Sequence, residues 1–276
     1  MSFDRLRTQQ ECEKLVGCRN LLDWSNKRAT FESLVLTSQQ EVTLKSALIE
    51  DGKDLYYKGL LSLSEAIQSM HHRLFSWATV KAYYSIFYFL RSSLALRRYS
   101  LVRNKSIYLL LIKSGTSPVK KSHPKYKNDH IAVINIYRDL YGNSDILQSN
   151  NIDGMNPYEW MMEKRNQIHY RQRQFYDPEP PDFLQAIAGK IDAKTFDGLI
   201  SAYVDDTNYL YCFQPDHAAL ALPIRRMLLT KEEYANSITM PTLTEDKINT
   251  ITTLLTIHST PIGRLQSFML PKSLAP

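Results

Sequence analysis

The sequence predicts a mainly α protein, and three observations carry that expectation. Apolar residues recur at helical spacing over long runs, helix-capping residues precede several of those runs, and glycine is scarce. Only nine glycines stand against seventeen tyrosines and ten phenylalanines. With 276 residues, 43% hydrophobic and 22% charged, the chain is long enough to bury a real core. The expected architecture is an up-and-down helical bundle over residues 38–212, with a helical extension at 1–37 and an irregular appendage at 213–276.

Residues 4–15 read as a short helix that Gly17 ends or turns. Ser38-Gln-Gln-Glu41 reads as a capping box opening a long amphipathic helix with Leu44, Leu48, Leu55, Tyr56 and Leu60 on its apolar face. Gly52 and Gly59 inside it each cost about 1 kcal/mol and mark a kink or break. From Ser76 a second helix is apolar nearly all round, which places it inside a bundle and assigns its aromatics, Trp77 included, to the core. Residues 106–112 read as a short apolar helix. Residues 113–128, with two prolines, a glycine and five lysines, read as a solvated, mobile loop. A helix over 129–141 stops at Gly142, and a polar linker leads to residue 155.

The next helix is the most clearly signalled. Asn156 is an N-cap, Pro157 suits the first helical position, and Glu159 completes a capping-box variant. It puts Met161, Arg165 and His169 on one face. Residues 177–182 leave the helical path because Asp177 and Glu179 precede prolines, and a long helix follows over 182–211. The segment ALALPIRRMLL, with its internal Pro223, reads as an edge strand or extended arm. Thr230 and Thr244 suggest further helix starts, and the tail from 259 is loosely patterned.

Charge is unevenly spread. From Ala66 to Asn128 there is no acid, while twelve lysines and arginines occur there; against a net charge of +6 this leaves the rest of the chain at −6. Clustered cations attract phosphate backbones, so Arg97, Arg98, Arg103, Lys105, Lys120, Lys121, Lys125 and Lys127 are candidate nucleic-acid contacts. Tyr126 and His123 among the lysines suit a flexible single strand. The competing expectation is an interface with an acidic partner protein or a second copy.

The polar N-terminus has no apolar core of a secretory signal, and the apolar runs fall short of the roughly 20 residues a membrane span needs. Cys12, Cys18 and Cys212 form no metal spacing and read as reduced thiols, so a cytoplasmic protein without membrane contact, metal or cofactor is expected. Glycine-rich phosphate loops, GxSxG and HExxH are absent. His71-His72 and His217 are assigned surface or capping roles.

Two segments then carry a resemblance. Residues 78–90, AxxxAYYSxFYFL, and Arg165-Asn166-Gln167-Ile168-His169-Tyr170 resemble the HEPN superfamily, small all-helical domains of toxin–antitoxin, antiviral-defence and RNA-processing proteins. In its nuclease members an arginine precedes a histidine by four to six intervening residues, and two protomers join these motifs in a cleft that cleaves RNA without metal. The resemblance implies a homodimer in which Arg165 holds the scissile phosphate, His169 is general acid or base, and Asn166 orients the pair. Here three residues intervene; counting from Lys164 restores four, but lysine lacks the planar fork. Alternatively, Arg165 and His169 cap the helix C-terminus and pair with nearby carboxylates, and the chain is a non-catalytic assembly or regulatory subunit of a defence complex.

Overall fold

The computed structural model describes residues 5–18, 20–237, 241–257 and 260–270. It is mainly helical, as expected, with a small antiparallel sheet and a two-stranded ribbon. The expectations for residues 1–4, 258–259 and 271–276 lie outside the described residues. Two compact units emerge: Met1–Tyr56 with Leu90–Leu140, and Tyr57–Phe89 with Tyr141–Pro276. Helices α3 (Ser38–His71) and α4 (Phe75–Leu96) run through both.

In the first unit, α1 (Arg7–Leu15) is capped from afar. Asp51, 2% exposed, accepts from Arg7 N at 2.7 Å, and from Thr8 N and Oγ1 at 2.8 and 2.7 Å. The first-turn N–H groups, which have no intrahelical partner, are thereby satisfied by a carboxylate over forty residues away. After α2 (Arg28–Glu32), the capping box of α3 begins one residue earlier than the sequence suggested. Thr37 Oγ1 accepts from Gln40 N at 3.3 Å, and Gln40 Oε1 accepts from Thr37 N at 2.9 Å.

Glu41 is thereby released for a tertiary role. It accepts the Ser114 backbone N–H at 2.6 Å and pairs with Arg98, and these bonds hold its carboxyl below the ordinary glutamate range. The folded state therefore binds this proton less readily than the unfolded chain. Its contribution is complete above the ordinary range and is lost as pH falls through the lowered value. Glu41→Gln should narrow the gap between urea midpoints measured at about pH 7 and about pH 3, relative to the native chain.

Residues 106–112 are not helical. Strand β2 (Ser106–Leu111) pairs with β1 (Tyr99–Asn104), Tyr99 opposite Leu111 and Asn104 opposite Ser106, and Lys105 makes the turn at φ 55°. A six-residue apolar run has too short a period to choose between helix and strand; the preceding run supplied the strand partner. Strand β3 (Val119–Lys121) adds to β2, so residues 113–128 are only partly loop. Tyr126 is buried and its hydroxyl bonds Asp139 on α5 (Asp129–Tyr141), which removes it as a free stacking face. Phe31 lies edge-on to Trp24 and Tyr108, with centroids 5.2 and 5.4 Å away, in a core with Leu44, Leu48, Val102 and Leu110.

Neither glycine breaks α3. Ser92 Oγ donates to the Gly52 carbonyl at 2.8 Å in the first unit. In the second, a Cβ on Gly59 would stand 2.5 Å from Cε1 of the buried Phe89. Both glycines let α4 approach closely. Gly59→Ala should cost about 1–3 kcal/mol of overpacking, more than the roughly 0.5–1 kcal/mol gained in helix propensity, seen as a lower urea midpoint at constant slope.

The second unit continues through α6 (Pro157–Asn166), α7 (Gln185–Asp192), α8 (Phe196–Asp205), α9 (Pro215–Ser237), α10 (Glu245–Leu254) and α11 (Gly263–Met269). The single helix expected over 182–211 is split, because Lys194 takes a left-handed conformation at φ 55° between α7 and α8. The expected edge strand around Pro223 is helix interior. Every residue from 218 to 228 is buried, and that burial offsets the roughly 3 kcal/mol or more a mid-helix proline costs. The segment 213–276 therefore opens on a core helix rather than an irregular arm. Among the described residues no helix is long and apolar enough to cross a membrane.

Candidate functional site

The site is built on α6, which starts as its cap signals predict: Asn156 Oδ1 accepts from Tyr158 N at 3.0 Å. Tyr158, Trp160 and Met161 are buried and fix one face of the helix. At its C-terminal end α6 passes directly into a π-helical turn, Gln167–Arg171. Arg165 and His169 flank this transition, a rare backbone form that frequently coincides with functional positions.

Arg165 is 6% exposed. Its Nη1 donates to Asn166 Oδ1 at 3.0 Å and its Nη2 to the Tyr84 hydroxyl at 3.2 Å, while Nε is enclosed without a partner. The guanidinium lies 4.6 Å from the Tyr170 ring centroid, 5.5 Å from that of Tyr84 and 5.6 Å from that of Tyr83. Burial pushes the Tyr83 hydroxyl up in pKa, and the Arg165 charge pulls against that shift. Among the described residues no carboxylate reaches Arg165 within ion-pair distance. Nearby acids are engaged elsewhere: Glu163 with Arg171 and Gln167, Asp153 with Trp160 Nε1. Buried arginines are ordinarily paired, so the expectation of a nearby carboxylate fails at this position. The aromatic faces attract the cation, by about 2 kcal/mol when desolvated, without neutralising it.

His169 is half-buried. Its Nδ1 is enclosed without a partner, and its ring lies 4.6 Å from Tyr170 and 5.7 Å from Trp77. Tyr170 thus touches both the cation and the imidazole. Trp77, assigned to the core by its helix pattern, is 44% exposed, and Phe175 stands 5.6 Å from it. Asp177 Oδ1 accepts from Ser76 N at 3.0 Å, tying the segment after the π turn to the first turn of α4. Sequence reasoning missed Tyr84, Trp77 and Phe175; the Asp-Pro step at 177–178 was the one local hint of where that segment turns back.

Lys164 does not take the arginine role. Its Nζ sits over the rings of Trp160 and Phe183, at 4.9 and 5.2 Å, and 3.9 Å from Asp153. It borders a separate cleft of about 340 Å³ shared with Asp153, Asp182 and Asp216, whose carboxylates disfavour an anion. His217 is not a plain surface residue: its Nδ1 is 2.7 Å from the Tyr203 hydroxyl, and burial lowers its pKa.

The basic candidates of the first unit divide into two groups. Arg98 pairs with Glu41, Arg103 with Asp129 at 2.6 Å and Lys125 with Asp139 at 2.8 Å, while Arg97 is half-buried just beyond α4. Lys105, Lys120, Lys121 and Lys127 have no carboxylate within ion-pair distance among the described residues, and Lys121 Nζ stands 5.4 Å over the Tyr126 ring. The acid-free run of sequence is thus partly neutralised by acids that lie outside it.

No protein-family model matches the chain, and no curated protein or solved structure matches it. The assembled side chains can hold an anion against a fixed cation, exchange a proton at an imidazole and offer aromatic faces to a ligand.

Proposed function

We propose that the chain is a HEPN-like RNA-binding protein and metal-independent endoribonuclease, acting as a homodimer in antiviral defence or a toxin–antitoxin-like system. The observation that carries this reading is the enclosed Arg165 guanidinium, which has no counter-ion among the described residues and shares the Tyr170 ring with the His169 imidazole. An uncompensated buried charge is costly, and a phosphate group would supply the missing partner in the bidentate geometry a guanidinium favours. Asn166 orients the fork through its 3.0 Å bond. Tyr170, 64% exposed, covers the guanidinium and turns aside on the fast timescale of surface side chains to admit the phosphate.

In this mechanism His169 takes the proton of a ribose 2′-hydroxyl as that oxygen attacks the adjoining phosphorus. The P–O2′ bond forms, the P–O5′ bond breaks, and the departing 5′-oxygen receives a proton from the imidazolium of the second copy. Arg165 stabilises the charge gathering on the non-bridging oxygens. The test is direct. Purified protein should cut RNA in EDTA and leave the all-deoxy strand of the same sequence intact; RNA left whole at high protein concentration would remove the catalytic reading.

Lys105, Lys120, Lys121 and Lys127, without an ion pair among the described residues, favour a second reading, a non-catalytic subunit that docks on an acidic partner or on nucleic acid through these side chains. Reversing the charge of Lys120 and Lys121 should weaken RNA binding and flatten its salt dependence by about one unit of log–log slope for each phosphate no longer neutralised. Unchanged binding and slope would discard the lysine contacts.

A further inference from the structure

We infer that Trp77, flanked by His169 and Phe175, is a stacking platform for one unpaired base of a single-stranded RNA whose adjoining phosphate meets Arg165. This rests on the ribonuclease reading and names the strand form that the site selects.

Packing does not account for the exposure of Trp77. The chain has three tryptophans, and the other two, Trp24 and Trp160, are 8% and 0% exposed. On the same helix Tyr83, Phe87 and Phe89 are buried, so the helix had interior positions to offer. Its neighbours sit at steep angles to it, 57° for His169 and 74° for Phe175. Among the described residues no ring lies parallel on its face, the arrangement a base would adopt. The Asp177 bond to Ser76 N holds the segment that carries Phe175, so the platform is positioned before any ligand arrives.

The same ring series leads to the cation. Trp77 contacts His169, His169 contacts Tyr170, and Tyr170 lies on Arg165, at 5.7, 4.6 and 4.6 Å. Two enclosed, unpartnered polar atoms, Arg165 Nε and His169 Nδ1, belong to this series. Arg173, exposed on the following segment, has no ion pair among the described residues. Aromatic faces beside unneutralised cations complement a polyanion with free bases. A duplex keeps its bases paired and stacked, and unstacking one costs a few kcal/mol, whereas a single strand offers them directly.

Because Trp24 and Trp160 are enclosed, Trp77 emission reports on its own face. The native protein is titrated with a 2′-O-methyl oligonucleotide of about a dozen residues, which keeps bases and phosphates but lacks the nucleophile, and with the same strand annealed to its complement. The single strand should quench the emission and bind at least about tenfold more tightly than the duplex. Trp77→Leu should weaken that binding about tenfold or more, and Trp77→Phe should restore most of it. Equal affinity for duplex and single strand overturns the inference. So does native affinity in Trp77→Leu while Arg165→Ala has lost it, an outcome that keeps the phosphate site and removes the stacking. No binding of either oligonucleotide overturns the ribonuclease reading as well. Emission that shifts with protein dilution and ignores the oligonucleotide assigns the face to a second copy and overturns the inference.

Discussion

His169→Ala should lower RNA cleavage by about 10²–10⁴-fold while leaving RNA affinity nearly unchanged, the loss typical of a positioned general acid or base. Arg165→Ala should lower cleavage by about 10²–10³-fold and weaken binding too, because the guanidinium meets the phosphate in both the bound and the transition state. Arg165→Lys keeps the charge and loses the fork, so it should recover binding better than rate. Arg165→Met is the more telling variant. The buried guanidinium has aromatic faces and two polar contacts but no carboxylate among the described residues, so an apolar side chain of similar length should leave thermal stability undiminished while removing RNA binding. A steep loss of stability in Arg165→Met would assign the residue to the fold.

The same substitution at Arg226 should have the opposite outcome. Arg226, on α9, has a side chain 1% exposed and stands 3.5 Å from Asp145 and 2.5 Å from Glu233; the Asp145 carboxylate also accepts the Tyr158 hydroxyl at 2.5 Å. Arg226→Met leaves those carboxylates enclosed without their cation and should cost about 3–5 kcal/mol, measured as a shift in urea midpoint with an unchanged slope. The contrast isolates the variable that matters. Both arginines are buried, and they differ in that Arg226 has two carboxylate partners while Arg165 has none among the described residues.

What the sequence conveyed depended on the reach of each signal. The start of α6 was readable because Asn156 caps a donor two residues away, and α4 was readable because its apolar pattern persists over many turns. The β1–β2 hairpin was missed because each run is too short to show a period, and α9 because Pro223 carries a local signal that burial overrides. The cap on α1 comes from Asp51, and no local rule connects the two. The candidate site was half legible. Arg165, Asn166 and His169 lie within one helix turn, but the missing counter-ion, the Tyr84 bond and the exposure of Trp77 arise only when α4 and the π turn are brought together.

The central claim, that Arg165 and His169 act on RNA, is tested most directly by one matched comparison. Native protein and His169→Ala, each folded by circular dichroism, are incubated at high concentration with one single-stranded RNA in EDTA, and the product ends are identified. Fragments ending in 2′,3′-cyclic phosphate from the native protein and intact RNA from the variant are the expected result. Intact RNA in both, or equal cleavage by both, contradicts it.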